Sequence, residues 1–106
     1  MKIAISSNGK DLNAQVESRF GRCQYFLIVD TDAMNFKSVL NEGATSSGGA
    51  GIKAAQFVAK MGVKSVITGK VGPNASRTLQ EAGIKIITGI SGTVKDVLEK
   101  YKEDKL

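Results

Sequence analysis

Short apolar runs and two-residue alternation dominate the first forty residues. Ile3-Ala4-Ile5 followed by Ser6-Ser7-Asn8-Gly9 predicts a strand ending in a turn. The polar stretch from Asp11 to Phe20 predicts irregular chain. Gln24 to Val29 (Gln-Tyr-Phe-Leu-Ile-Val) is rich in aromatic and β-branched residues and predicts a buried strand. Asp30-Thr31-Asp32 reads as a turn into residues 35–41, where Phe36, Ser38 and Leu40 alternate with Lys37, Val39 and Asn41. Together these two runs predict an antiparallel hairpin.

The spacing then changes to a helical period. Ile52, Ala55, Val58 and Ala59 predict a helix over Gly51–Lys60, with Gly62 as its stop. Val63–Thr68 predicts a strand, and Gly72-Pro73 opens a helix that Gly83 closes, with Ala75, Leu79 and Ala82 as its apolar stripe. Ile84–Thr88 predicts a further strand. Thr93-Val94-Lys95-Asp96 has capping-box spacing, and Val94, Val97, Leu98 and Tyr101 form the stripe of a last helix, leaving a frayed tail beyond Lys102. The glycine-rich stretch Gly43–Gly51 is not a linker, because the pieces flanking it are too small to be domains; residues 1–106 read as one domain.

An internal echo links Val66-Ile67-Thr68-Gly69-Lys70-Val71-Gly72 to Ile86-Ile87-Thr88-Gly89-Ile90-Ser91-Gly92. It is also what any compact strand-to-helix turn requires. Strand, helix, strand, helix, strand with short connections predicts a right-handed parallel crossover, and ligands of such sheets sit beyond the strand carboxyl ends. Ser6–Gly9 and the two echo turns would meet there as an anion cradle.

Composition narrows the chemistry. The chain has 106 residues, no His and one Cys, which excludes Ser-His-Asp and Cys-His catalysis, a four-ligand zinc site and an intrachain disulfide. There is no signal-like leader and no run of 18 apolar residues, so a soluble, cytoplasmic chain without membrane contact is expected. Net charge is +5, and the excess belongs to Gly43–Gln80, where Lys53, Lys60, Lys64, Lys70 and Arg77 occur with no Asp or Glu. Basic balance points to anionic partners. Nucleic acid is disfavoured, because the aromatics fall on core-like positions instead of interleaving with lysines.

Gly49-Ala50-Gly51-Ile52-Lys53-Ala54 matches a dinucleotide fingerprint only in letters: no strand immediately precedes it and no acid follows until Glu81. The first strand lacks the acids that a two-metal enzyme needs. Arg19-Phe20-Gly21-Arg22-Cys23 sets two guanidinium groups beside a thiol, which would favour thiolate and soft-metal binding; a small buried Cys at a strand start is the alternative.

Phe20-Gly21-Arg22 with Tyr25-Phe26, Ser46-Ser47-Gly48-Gly49-Ala50-Gly51, Ile67-Thr68-Gly69 with Gly72-Pro73-Asn74-Ala75, and Ala82-Gly83-Ile84-Lys85 occur in an order that resembles the dinitrogenase iron–molybdenum cofactor biosynthesis family, which includes NifX, NafY and the NifB C-terminal domain. The resemblance covers about residues 1–100. It implies a ribonuclease H-like three-layer α/β/α fold on a five-stranded mixed sheet, an antiparallel hairpin half followed by a βαβα half. It further implies a non-enzymatic carrier of an anionic iron–sulfur or iron–molybdenum cluster or its precursor, with cluster-assembly or nitrogenase-related proteins as partners. The expected site is Arg19, Phe20, Gly21 and Arg22 with Ser46, Ser47, Gly48, Gly49 and Gly51, assisted by Lys53, Gly69 and Lys70, with Cys23 as the candidate metal ligand. Many members of that family carry His where this chain has Arg19, and a guanidinium cannot coordinate metal. Two other readings use the same features: a phosphate- or nucleotide-binding regulatory module on the glycine loops, and an interaction domain that forms a homodimer.

Overall fold

A computed structural model describes residues 1–106. Five strands form one mixed sheet: β1 (Lys2–Ser7), β2 (Tyr25–Asp30), β3 (Asn35–Leu40), β4 (Val63–Ile67) and β5 (Lys85–Ile87), in the order β3-β2-β1-β4-β5. The predicted hairpin is present, with β2 antiparallel to both β1 and β3. The predicted parallel half is present too, with β4 parallel to β1 and to β5.

Side chains alternate across the pleat and so supply two cores. Ala4, Phe26, Ile28 and Val66 face helices α1 (Ala50–Lys60) and α2 (Pro73–Glu81), packing with Ala54, Ala55, Val58, Ala75 and Leu79. Ile3, Ile5, Leu27, Val29 and Ile67 face α3 (Val94–Lys102) and pack with Val94, Val97 and Leu98. The result is a three-layer α/β/α arrangement. No helix is long and apolar enough to cross a membrane.

Local details differ from the expectation where side chains are spent internally. The hydroxyls at the end of β1 do not form a cradle: buried Ser6 Oγ lies 2.7 Å from both Glu17 O and Thr68 Oγ1, and Ser7 Oγ donates to Gly9 O at 2.8 Å. The echo turns are neighbours, because Gly89 N–H donates to Gly69 O (2.7 Å) and Ile90 N–H to Thr68 O (3.2 Å), continuing the β4–β5 pairing past the strand ends. Only the first of them reaches the cleft described next.

A cationic cleft at two helix N-termini

Three segments that are distant in sequence converge at the carboxyl edge of β4. The first is residues 18–23, which include a short 3-10 turn at Phe20–Arg22. Phe20 is buried beneath that turn, its ring 5.3 Å from that of Phe26, which anchors the turn to the core. The second is the start of α1, and the third is the turn from β4 into α2.

Backbone contacts set the separations. Lys70 N–H donates to Ser18 O (2.7 Å) and Phe20 N–H to Lys70 O (3.1 Å), a short parallel bridge that places Arg19 beside Lys70. This approach requires glycine: a Cβ on Gly69 would lie 2.5 Å from Ser18 O. On the other side, a Cβ on Gly21 would lie 2.7 Å from Gly51 Cα, so the 3-10 turn and α1 meet backbone to backbone. Gly51 in turn faces Ala75, bringing the first turns of α1 and α2 together.

The cleft between these segments has a volume of about 520 Å³. Its walls include Arg19, Arg22 and Lys70 and the first turns of both helices. Neither helix has a side-chain cap or an acid in its first turn; Gly49 (φ 72°) precedes α1, and Gly72 precedes α2 with Pro73 at its start. The first intrahelical bonds are Lys53 N–H to Gly49 O and Ser76 N–H to Gly72 O. The N–H groups of Ala50, Gly51, Ile52, Asn74 and Ala75 come before them and are left for an outside acceptor. Two helix dipoles and three cations thus favour negative charge in one place. Arg19 is partly engaged, its Nε lying 3.3 Å from Glu17 Oε1.

Of the expected site residues, Arg19, Phe20, Gly21, Arg22, Gly49, Gly51 and Lys70 line this cleft. Ser46, Ser47, Gly48, Lys53 and Gly69 do not. Lys53 Nζ instead donates to Ser46 Oγ (3.1 Å) outside the cleft, and Gly69 serves the close contact with Ser18. The named site residues leave out Val71–Ala75, and Ala50 and Ile52 beside Gly51, although the turn through Gly72 was expected at this edge. Their signal was an uncapped helix start at Gly72-Pro73 in an acid-free segment.

Cys23 corrects the thiolate expectation. It is fully buried in the core under α1, does not line the cleft, and its thiol is pushed up to about 12. Loss of hydration on burial outweighs the hydrogen bonds that oppose it, among them one from Asn41 Nδ2 at 3.7 Å. The flanking arginines are exposed and do not reverse this. Nowhere do three His, Cys, Asp or Glu side chains group to hold a metal ion.

Fold and cleft define a class: a small three-layer α/β domain that offers cations and backbone donors, but no metal-ligating side chain, at the edge of its sheet. The chain belongs to the dinitrogenase iron-molybdenum cofactor family, whose model matches residues 1–104. It is similar to the orange protein from Desulfovibrio gigas, solved in its apo form, with 40% identity and a TM-score of 0.94 over 98% of this chain and 88% of that one. It is also similar to a putative NifB protein from Thermotoga, with 38% identity and a TM-score of 0.86 over 98% of this chain and 89% of that one. A comparison with curated proteins finds no match.

Proposed function

We propose that this chain is a non-enzymatic carrier of an anionic iron–sulfur or iron–molybdenum cluster, or a precursor of one, which it hands to cluster-assembly or nitrogenase-related proteins. The observation that carries this reading is the donor set of the cleft. Arg19, Arg22, Lys70 and two open helix N-termini stabilise negative charge, while no His, Cys, Met or carboxylate in the walls can displace a metal's own ligands. Cargo held this way keeps its own sulfides, and binding consists of N–H···S contacts and charge pairing. Release then breaks no metal–protein bond, as a carrier requires. Membership of the iron-molybdenum cofactor family supports the same cargo class.

Anaerobic incubation with tetrathiomolybdate, followed by desalting, tests the reading. Retained charge-transfer absorbance, weakened by Lys70→Ala and unchanged by Cys23→Ser, is the expected result. Complete loss of the chromophore from the native protein overturns it. Calorimetry with pyrophosphate and ATP separates the phosphate reading: binding heats there, with none for the thiometallate, would favour that alternative.

A further inference from the structure

Arg22 does two things at once. Its side chain lines the cleft, yet its Nη1 donates to Ala44 O (2.9 Å) and Ser46 O (2.8 Å) in the strap between β3 and α1. A guanidinium carries five N–H donors in a rigid plane. With Nη1 committed to the strap, the edge formed by Nε and Nη2 is the part available to a ligand.

The strap is otherwise lightly held. Its start is fixed by buried Asn41, whose Nδ2 donates to Cys23 O (2.9 Å) and Gly21 O (3.2 Å). Beyond Arg22, its one side-chain tie is Lys53 Nζ to Ser46 Oγ (3.1 Å), and it ends in Gly48 and Gly49, around which a Cβ would meet nothing. That end delivers the free N–H groups of α1 to the cleft. Three of the five open backbone donors thus follow directly on a segment that Arg22, itself a residue of the cleft wall, helps to hold.

We infer that Arg22 is a positioning residue that couples cargo binding to the order of the 42–49 strap, and so makes the strap report whether the cleft is loaded. The inference rests on the carrier reading. An anion paired with the Nε/Nη2 edge fixes the guanidinium, which strengthens its hold on Ala44 O and Ser46 O. By thermodynamic reciprocity, a strap that holds Arg22 in place raises affinity for the anion by the same factor. Lysine keeps the charge but lacks the planar fork that joins two carbonyls on one side to an anion on the other.

Hydrogen exchange of peptides covering residues 42–49, with tetrathiomolybdate as the probe, tests the coupling in the full chain. In the wild type, saturating probe slows strap exchange. In Arg22→Lys, strap exchange is faster without probe and insensitive to it, and the probe binds roughly 5- to 20-fold more weakly. Exchange in α3 stays unchanged in both, showing an intact fold. Ser46→Ala, which removes the tie to Lys53 outside the cleft without altering charge, also speeds strap exchange. Probe binding that leaves the wild-type strap unaltered, or an Arg22→Lys strap that still responds fully, overturns the coupling alone. Failure of the wild type to bind the probe overturns the carrier reading and the coupling with it.

Discussion

The N-terminus of α3 and those of α1 and α2 differ in one respect that decides what each can do. At α3, Thr93 Oγ1 accepts from Asp96 N–H (3.1 Å), Val94 N–H donates to Ala14 O (2.9 Å) and Lys95 N–H to Leu12 O (2.8 Å). Asp96 adds negative charge to the first turn. Every early donor is used, and the dipole is answered from within. At α1 and α2, glycine stands at the cap, no acid enters the first turn, and three cations stand nearby. The echo turns thus begin alike and end as opposites. A glycine turn into a helix is a site only where the chain withholds its own acceptors.

The contrast can be broken at several points. Gly21→Ala drives a Cβ against the backbone of Gly51 and forces the 3-10 turn off α1. Overpacking of this kind costs about 1–3 kcal/mol, and a fall of about 4–8 °C in Tm for each kcal/mol is expected in thermal melts, together with loss of thiometallate retention. Lys70→Glu reverses one cleft charge while leaving the core intact. A charged contact worth about 1.5–3 kcal/mol corresponds to affinity weakened by roughly 10- to 100-fold, measurable by equilibrium dialysis at fixed salt.

Gly72→Asp makes the open end of α2 resemble that of α3. Its backbone is extended (φ −68°) and the space around it is free, so the carboxylate can cap the helix. Stability rises by a few tenths of a kcal/mol, while anion binding falls, and a melt and a titration moving in opposite directions check this. Thr93→Ala at the closed end does the reverse, lowering stability by about 1 kcal/mol with no change in probe binding.

A last effect, independent of the cleft, concerns pH. The Cys23 thiol is raised from 9.0 to about 12, so the folded state holds its proton more tightly than the unfolded chain. Its contribution to stability is complete below pH 9 and is lost as the pH climbs toward 12. Melts between pH 8 and 11 should show a decline that is shallower in Cys23→Ala.

The elements were legible because the chain changes period cleanly, from alternation in Asn35–Leu40 to the i, i+3, i+4 stripe of Val94, Val97 and Leu98. Thr93 caps α3 as its spacing predicts. The site was legible in half. Arg19–Arg22 and the Ser46–Gly51 loop stood out as motifs, and the turn through Gly72 as part of an expected cradle, yet the residues of the α2 wall did not, since their contribution is backbone N–H that no side chain marks. Lys53 misled because sequence proximity to glycine says nothing of which face a helix turns outward. Cys23 misled for a physical reason: guanidinium groups lower a thiol's pKa only when they face it, and here desolvation decides.

The stitch between Ser18–Phe20 and Lys70 has a consequence for the order in which the molecule becomes competent. The two partners close a long loop, and the entropy of that closure is offset by the β1–β4 pairing that flanks it. During synthesis from the N-terminus, the guanidinium-bearing turn emerges well before the lysine that completes it. The cleft is therefore complete only once the parallel half of the sheet has formed: a half-made or misregistered chain carries the motif but not the cavity.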